Sequence, residues 1–573
     1  MDRTGLYGLF DLDGAPPDPQ AATALGFAPG EPGTPLVAAV DLADPDAATC
    51  AHAGGALTLF LGRLDEPAAV AEWLGMATGT PHAALAEAAF ARSGPGIRTR
   101  LHGEWTFARW DGRALVLIAS IAQRDPLLYA VRGSRIAIGP DLRQLSRIAW
   151  IDADFDPAGL LMALGRSTLR APGDARTPIA GVAALLPGAC LTINRHGIHR
   201  EPPAMIETAP DWRGTLDTAM TEAEALMQRI VRQRMVGGGY ACMVSGGLDS
   251  ATLAWLTAKV LAPGERLRFL TSAAQPGSQQ IDEMAEAAII ATHLGIPHDA
   301  VIADAVPGPY RPDPLLFRDA NGPSLSVRHY LYHRFAAQTR AHDAAILFDG
   351  QFGELIFSNS LPLRARSAWW RKARRLLPAP RPAPAEAFHV YLARHCLDAL
   401  PEPLRDALRH PHQPMRMPAR ADRWGISPGF SKAMRAPASL DLGRVRVAMP
   451  FRDPRLVALF AGFPAAMLYP RPGERTAARH LLVGKLPDAI RLRGKGPGFA
   501  PDYPDRLRSE AEAARERIAL FRRAGADEWL DLDVLDSGLA RAARGASTSY
   551  DEATRTQLTA LAGEFIAWWR GAS

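Results

Sequence analysis

One short segment combines the residue types that can grip an anion: Ser245, Gly246, Gly247, Leu248, Asp249 and Ser250. It follows an apolar run at 240–244 and leads into a helical pattern that extends toward residue 261. Glycines let the backbone approach a ligand closely, and a helix N-terminus presents free N–H groups and the positive end of its dipole. Two serine hydroxyls add donors, and the Asp249 carboxylate can hold Mg²⁺ between phosphate oxygens. The segment therefore predicts a loop that binds pyrophosphate.

Two simpler interpretations of this segment stay open. The glycines could form an ordinary strand-to-helix turn, and Asp249 could only stabilise the first turn of the helix through its dipole. The segment is not a Walker loop, because no Gly-Lys-Ser or Gly-Lys-Thr follows the glycines. The full string after an apolar strand is more specific than a Gly-Gly turn, and it favours the phosphate-binding interpretation.

Strand and helix patterns alternate around this loop. Helical spacing covers 216–235, 249–261 and 281–294, and apolar strand-like runs cover 240–244, 267–272 and 345–349. Such alternation predicts a parallel, doubly wound α/β sheet, in which ligands bind at the carboxyl ends of the strands. From residue 385 onward the patterns are mainly helical, so we expect a helical C-terminal part.

The first 205 residues have a different pattern. Short apolar runs at 57–61, 114–119 and 135–138 are bounded by Gly, Asp and Pro, and helical spacing covers 83–92. This pattern predicts a two-layer α+β domain that closes with a hairpin at 186–198. Prolines after residue 201 mark its end, so we expect two domains, 1–205 and 206–573.

Composition excludes several classes of protein. With 22% charged and 47% hydrophobic residues among 573, the chain has the balance of a globular enzyme. Its formal charge is +5, but the sequence contains no motif of a nucleic-acid-binding domain, so we expect no nucleic-acid partner. The four cysteines form no C-x-x-C pair, and neither a signal peptide nor a membrane-length apolar run is visible. We expect a cytoplasmic protein without a membrane span.

One irregular stretch, 363–384, is rich in basic residues, tryptophan and proline. The basic residues are Arg364, Arg366, Arg371, Lys372, Arg374, Arg375 and Arg381, and Trp369 and Trp370 lie among them. Charge runs of this kind are usually solvated surface insertions. Alternatively, the stretch is a basic, aromatic lid or a docking surface for a peptide.

Two further pairs of polar residues have structural explanations. Asp282 and Glu283 stand where a helix begins, so capping accounts for them. His329 and His333 are one helical turn apart, but without an intervening Glu or a third ligand they indicate packing or surface positions rather than a zinc site.

The string at 245–250 resembles the N-type ATP pyrophosphatase signature of asparagine synthetase and its relatives. Two later segments are similar to the same family. In 348–357 Glu354 falls at the position of the second Mg²⁺ ligand, although this needs a Glu for Asp exchange and Asp349 is an alternative. In 486–499 Lys495 falls at the position of the catalytic lysine. The resemblance implies ATP and Mg²⁺ as cofactors.

The N-terminal part also shows a resemblance, at 101–111 and 124–129, to class II glutamine amidotransferases. This likeness implies an Ntn-like α+β fold. Glutaminase activity of that class needs a Cys as the first residue of the mature chain, where the thiolate attacks and the α-amine acts as base. Here Asp2 stands in second position and the nearest cysteine is Cys50. We therefore expect no release of ammonia from glutamine.

A family member without an ammonia source must take its amine from the substrate. Among such members the chain is most similar to lasso peptide cyclases, which implies adenylation of an Asp or Glu side chain of a core peptide. The peptide's own N-terminal amine then closes a macrolactam, and AMP and pyrophosphate are released. The implied partners are the precursor peptide, a leader-binding protein and a leader protease.

Other branches of the family stay open. β-Lactam synthetases carry a Tyr in the second Gly-rich turn as part of a base dyad, whereas Gln351 stands there in this chain and cannot take a proton at neutral pH. An amide synthetase that uses ammonia or a small amine is a further alternative, and a non-catalytic scaffold is another. The general base for the attacking amine is unassigned.

Overall fold

The computed structural model describes most of the chain, and all structural statements below concern these residues. They are 1–28, 30–31, 34–164, 174–204, 206, 212–278, 280–304, 307–323, 325–357, 390–398, 439–440, 443–468, 475–494, 496, 500–546 and 549–572. The basic stretch at 363–384 and Lys495 lie outside the described residues.

The strands of the described residues are as follows: β1 Gly5–Asp11, β2 Leu36–Val40, β3 Ala48–Ala53, β4 Ala56–Leu64, β5 Gly103–Trp110, β6 Ala114–Ala119, β7 Leu127–Arg132, β8 Arg135–Gly139, β9 Ala183–Leu185, β10 Cys190–Asn194, β11 Gly197–Glu201, β12 Gly239–Met243, β13 Arg266–Ser272, β14 His298–Val301, β15 Ile346–Phe348, β16 Ser439–Leu440 and β17 Val445–Ala448.

The α-helices of the same residues are as follows: α1 Pro19–Leu25, α2 Pro67–Leu74, α3 His82–Ser93, α4 Ile97–Arg100, α5 Leu142–Leu145, α6 Pro157–Leu164, α7 Leu216–Arg234, α8 Leu248–Lys259, α9 Met284–Leu294, α10 Pro314–Ala320, α11 His329–Ala341, α12 Gly353–Phe357, α13 Arg394–Asp398, α14 Pro454–Gly462, α15 Ala465–Leu468, α16 Thr476–Leu481, α17 Asp488–Arg491, α18 Tyr503–Ser509, α19 Ala511–Glu516, α20 Ile518–Arg523, α21 Leu532–Ala543 and α22 Tyr550–Trp569. None of them combines the length and the apolar character that a membrane crossing needs.

The chain divides into two compact units. The first comprises Met1–Ile206, Pro314–Ser324 and Pro428–Arg446, and the second comprises Glu207–Asp313, Leu325–Ser427 and Val447–Ser573. The division therefore differs from the predicted domains 1–205 and 206–573, because two later segments belong to the first unit.

The first unit contains two antiparallel sheets. The order of strands is β2-β1-β8-β7-β9 in one and β11-β10-β6-β5-β4-β3 in the other. Because side chains alternate across a strand, the second sheet contributes to two cores. Leu59 and Leu61 join a cluster with Ile136 of the first sheet, whereas Phe60, between them, joins a cluster with α3. The unit thus has stacked sheets with helices outside, more layers than the two expected.

The second unit is built on a parallel sheet, as its alternating pattern predicts. Strands run in the order β14-β13-β12-β15, and β17 follows beyond β15. In the register of the parallel pairs, Cys242 of β12 lies beside Phe269 of β13 and Phe348 of β15. The chain leaves β12 toward β13 on one side, and β15 returns on the other. The carboxyl end of β12 is therefore a topological switch point, where such sheets bind ligands.

A buried ion pair stabilises the first unit. The Asp41 carboxylate contacts two guanidiniums, with Oδ2 3.1 Å from Arg124 Nη2 and also paired with Arg446. All three side chains are buried. Burial alone would raise the pKa of Asp41, but the two arginines outweigh burial and hold that pKa below its ordinary value.

Replacing this carboxylate should destabilise the protein. In Asp41→Asn the buried guanidiniums of Arg124 and Arg446 lose the carboxylate that they share and keep only Asp125 and Asp44 as partners. We expect a loss of about 3 kcal/mol of unfolding free energy at pH 7, measured by denaturant titration. Because the folded pKa lies below the unfolded one, the contribution is complete above about pH 4 and disappears as the pH falls toward the folded pKa. As a control, Asp13→Asn removes an exposed pair with Arg195 and should change stability by less than about 1 kcal/mol. Equal effects of both variants would contradict the prediction.

Candidate active site

The predicted phosphate loop, residues 245–250, lies between the end of β12 and the first turn of α8. Its two serines hold the loop closed. Ser250 Oγ accepts a hydrogen bond from the Ser245 backbone N–H at 3.0 Å, and Ser245 Oγ accepts one from the Gly247 N–H at 3.1 Å. The two hydroxyls lie 3.0 Å apart. The loop is therefore preformed, with its glycine backbone at the switch point.

Glycine at position 246 is required by a close approach. A Cβ added to Gly246 would lie 2.0 Å from Arg493 Nη1. The guanidinium of Arg493 thus rests directly on the loop backbone. A cation at this position can balance the charge of a bound phosphate.

Arg493 is held by two carboxylates that precede and begin α9. Its Nη1 lies 2.5 Å from Glu283 Oε1, and its Nη2 lies 3.0 Å from Glu286 Oε1. The capping role expected for Glu283 is therefore wrong, and α9 begins with no side-chain cap from it. The capping role of Asp282 is confirmed, because its Oδ1 accepts from the Met284 N–H at 3.1 Å.

The same ion pair reaches the segment that carries Lys495. A Cβ added to Gly496 would lie 2.0 Å from Glu283 Oε1, so Glu283 packs against the backbone next to that lysine. Lys495 itself is not among the described residues, and its catalytic role stays a prediction.

A second Gly-rich turn follows β15 and packs on the phosphate loop. A Cβ added to Gly353 would lie 2.6 Å from the Cβ of Asp249, and one added to Gly350 would lie 3.2 Å from the Ser250 nitrogen. Phe352 between them has φ of 71°, in the left-handed region that non-glycine residues seldom adopt. This turn places the backbone of Glu354 in α12, next to Asp249. The Glu354 side chain lies outside the described atoms, so its role as a ligand stays a prediction.

Asp249 is paired with an arginine that the sequence did not single out. Its Oδ1 lies 3.1 Å from Nη1 of Arg475, the residue before α16, and both side chains are partly exposed. The Asp249 side chain is 20% exposed, although its Oδ1 is itself buried. A Mg²⁺ that bridges phosphates needs only one or two protein carboxylates, and the role of Asp249 and Glu354 as these ligands stays a prediction. Among the described residues no group of three or more His, Cys, Asp or Glu side chains could hold a metal.

Asp349, the alternative ligand, is already engaged in hydrogen bonds. Its Oδ1 accepts from the Gln351 N–H at 3.0 Å, and its Oδ2 accepts from Tyr332 Oη at 3.2 Å and Gln351 Nε2 at 3.1 Å. Burial raises its pKa to about 6 despite these bonds. These bonds hold Asp349 within the second turn, and the choice of Glu354 rather than Asp349 as the ligand stays a prediction.

Gln351, at the position of the Tyr in β-lactam synthetases, belongs to the same network. Its side-chain amide contacts both Tyr332 and Asp349. Tyr332 lies on α11, and burial raises its pKa well above the ordinary value, so it stays protonated. The sequence analysis did not single out Tyr332. The helical pattern that precedes β15 predicts only that this residue is buried, not that it bonds to the second Gly-rich turn.

The histidine pair has the structural role expected for it. His329 is buried, with Nε2 3.1 Å from the Pro309 carbonyl oxygen, and burial lowers its pKa to about 4, which keeps it neutral. His333 Nε2 lies 3.5 Å from Asp313 on the other side of a turn. Neither histidine takes part in a metal site among the described residues.

No cysteine is prepared as a nucleophile. Burial raises the pKa of Cys50, Cys190, Cys242 and Cys396, to about 11 for Cys190 and Cys396. A thiol attacks as its thiolate, which a raised pKa suppresses.

The buried Asp349 should make stability depend on pH. Its folded pKa of about 6 is above the unfolded value near 4, so the folded state binds more protons between these values and loses stability as the pH rises. Relative to Asp349→Asn, the wild type should lose about 2 kcal/mol of unfolding free energy between pH 4 and pH 7. Denaturant titrations across this range measure the difference. Asp343→Asn, at an exposed position before β15, is the control and should show a flat difference; a flat difference for Asp349→Asn would refute the burial argument.

Two solved structures are similar to parts of the chain. One is a glutamine phosphoribosylpyrophosphate amidotransferase from B. subtilis complexed with ADP and GMP, with 10% sequence identity to this chain. The other is described as the allosteric regulatory enzyme of purine biosynthesis and has 11% identity. They cover 64% and 60% of this chain and 74% of their own, with TM-scores of 0.23 and 0.24. With TM-scores this low, neither likeness bears on the fold or the function.

Comparisons of the sequence with known proteins say more about this chain than the two solved structures do. Asparagine synthetase [glutamine-hydrolyzing] 3 of Bacillus subtilis (strain 168) is 26% identical over 164 residues, which are 28% of this chain and 26% of that protein. The match thus spans about a quarter of the relative. Residues 222–569 match the asparagine synthase family. This range includes the phosphate loop, the second Gly-rich turn and the Lys495 segment, and it exceeds half of the chain. The protein therefore belongs to the asparagine synthase family.

Proposed function

We propose that the protein is an ATP-dependent carbon–nitrogen ligase that activates a carboxylate as its adenylate and transfers the acyl group to an amine. The observation that carries this proposal is the phosphate loop at the switch point, with Asp249 at the start of α8 and two arginines, Arg475 and Arg493, around it. The family match over 222–569 supports the same class of reaction.

In the first step a substrate carboxylate oxygen attacks the α-phosphorus of ATP, and pyrophosphate leaves. The N–H groups of the phosphate loop other than those of Ser245 and Gly247, together with the hydroxyls of Ser245 and Ser250, would bind the leaving pyrophosphate. Asp249 and Glu354 would hold Mg²⁺, which neutralises charge on the triphosphate when bound. Arg475, whose Nη1 lies 3.1 Å from Asp249 Oδ1, would add positive charge beside the phosphates.

In the second step the amine attacks the acyl carbon, a C–N bond forms, and AMP leaves. Lys495 would stabilise the negative charge on the tetrahedral oxygen and on the α-phosphate, as a fixed cation does best in a site that excludes water. The Glu283–Arg493 pair positions the backbone beside this lysine.

The amine, we propose, belongs to the substrate itself, as in lasso peptide cyclases. Two observations support this. Burial raises the pKa of the four cysteine thiols, which lowers the thiolate fraction that could attack glutamine. Gln351 is engaged with Tyr332 and Asp349 and cannot replace the tyrosine base of β-lactam synthetases. The substrate would be a core peptide, cut from its precursor in the cytoplasm by a leader protease with a leader-binding protein.

The reaction should convert ATP to AMP and pyrophosphate. Asp249→Asn removes a carboxylate from the metal and phosphate site, and we expect pyrophosphate release to fall by roughly 100-fold or more with an unchanged circular dichroism spectrum. Ion-exchange chromatography of the nucleotides measures the product. Asp217→Asn, an exposed position at the start of α7, should match the wild type. ADP as the main product would refute the adenylation scheme.

The peptide substrate can be tested by reconstitution. Enzyme, Mg-ATP, leader-binding protein, leader protease and the precursor encoded beside the gene should yield a core peptide lighter by one water that resists carboxypeptidase, as measured by mass spectrometry. Lys495→Ala should leave the core linear, and glutamine should yield no glutamate above a heat-treated control. A wild-type enzyme that leaves such peptides linear but amidates ammonium or a small amino acid would instead identify a small-amine synthetase.

A further inference from the structure

The ion pair between Glu283 and Arg493 joins two segments of the candidate active site. Glu283 Oε1 lies 2.5 Å from Arg493 Nη1, and the Glu283 side chain is only 7% exposed. A Cβ added to Gly246 would overlap Arg493 Nη1, and one added to Gly496 would lie 2.9 Å from the same atom. The phosphate loop and the segment that contains Lys495 therefore meet at one guanidinium.

Of the two carboxylates that pair with Arg493, one also contacts the segment beyond Lys495. The atoms nearest to a Cβ added at Gly496 belong to Glu283 and Arg493, and the first of them is Glu283 Oε1. Glu286 pairs with the other side of the guanidinium, but its side chain is 28% exposed. Glu283 is thus in contact with residues before and after Lys495.

The backbone of Glu283 is itself held at the edge of the parallel sheet. The preceding residue, Asp282, accepts two hydrogen bonds from backbone N–H groups. Its Oδ2 accepts from Ala274, just after β13, at 3.0 Å, and its Oδ1 accepts from Met284, at the start of α9, at 3.1 Å. Glu283 therefore extends from a fixed point beside the carboxyl end of a strand.

A second arginine holds the same segment from another direction. Arg479 on α16 donates from Nη2 to the carbonyl oxygen of Arg493 at 3.3 Å. Arg475, four residues earlier, pairs with Asp249 at 3.1 Å. The segment 493–496 is therefore held by α9 through Glu283 and by α16 through Arg479.

We propose that Glu283 is a positioning residue that fixes Lys495 relative to the phosphate loop. This inference rests on the proposed ligase function and on the role predicted for Lys495. Consecutive Cα atoms are about 3.8 Å apart, so holding Gly496 in place limits where the Lys495 side chain can begin. A cation stabilises developing charge best when it is in position before the reaction, and a misplacement of about 1 Å can cost roughly 100-fold in rate.

The first test is Glu283→Met, which keeps the approximate size of the side chain and removes its charge. We expect kcat for pyrophosphate release to fall at least about 10-fold, because Lys495 is no longer held in position. The KM for ATP should stay equal or fall, since the variant removes a negative charge beside a site that binds a polyanion. This combination separates a positioning role from weaker phosphate binding.

Two further variants make the test specific. Glu286→Met makes the same change on the same helix but leaves the contact with Gly496, and its kcat should fall by less than about 3-fold, because a partly exposed ion pair contributes little. Gly496→Ala keeps both carboxylates and adds a Cβ where Glu283 Oε1 lies. It should reproduce the loss of kcat in Glu283→Met.

A double variant tests whether Glu283 acts through the lysine. In a Lys495→Ala background, Glu283→Met should lower the residual rate of pyrophosphate release by no more than about 2-fold, because the lysine that it positions is gone. Calorimetric titration with Mg-ATP, in the absence of a carboxylate substrate, gives a readout without turnover. Glu283→Met should bind with a Kd equal to or below that of the wild type, and its circular dichroism spectrum should be unchanged.

Several outcomes would overturn the inference. Equal losses of kcat in Glu283→Met and Glu286→Met would mean that the two carboxylates only balance the charge of Arg493. A higher Kd for ATP in Glu283→Met, or a full further loss in the Lys495→Ala background, would place its effect elsewhere than on the lysine. Unfolding of both Glu283→Met and Gly496→Ala would show a structural role. Absence of pyrophosphate release in the wild type would instead refute the ligase function, which separates that failure from a failure of the positioning role.

Discussion

The candidate site depends on the contact between two glycine turns that follow neighbouring parallel strands. The phosphate loop after β12 and the turn after β15 approach so closely that a Cβ at Gly353 would overlap Asp249. Parallel pairing of β12 with β15 sets this distance, since Cys242 and Phe348 are in register just before the two turns. The two turns can therefore pack together only because the second turn has no side chain at the point of contact with Asp249.

Charge compensation is the second constraint. Phosphate groups need nearby cations, yet cations without a ligand repel one another and must be balanced by carboxylates. The site contains both cations and balancing carboxylates. Arg475 pairs with Asp249, and Arg493 pairs with Glu283 and Glu286. Each arginine keeps its charge beside the phosphate loop while the carboxylates hold it in position.

Much of the second unit could be predicted because its signals are local. The phosphate loop occupies consecutive residues, and the predicted strand at 240–244 and helix at 249–261 match β12 and α8 to within two residues. Arg475 and Tyr332 could not be predicted, because each meets its partner through the fold and no sequence spacing links them. Glu283 was misassigned because, although it occupies the N-cap position of α9, its carboxylate pairs with Arg493, which is 210 residues later in the chain.

The stacked sheets of the first unit were missed for a different reason. An alternating pattern predicts a strand with one buried face, but β6 is apolar throughout and nearly all of its residues are buried. A continuous apolar run indicates that both faces are covered. The apolar run at 114–119 was therefore the sequence pattern that could have predicted that both faces of this sheet are covered.

The position of β12 in the middle of its sheet also determines when the site can form during synthesis. Its neighbour β15 emerges about a hundred residues later, and Arg475 lies more than two hundred residues beyond Asp249. Long-range strand pairing is slow, because the intervening chain must be ordered before the contact is gained. A nascent chain that contains the phosphate loop therefore still lacks the second Gly-rich turn that packs on the loop and the arginine that pairs with Asp249. The complete site, with both turns and Arg475, can therefore form only in the last stages of folding.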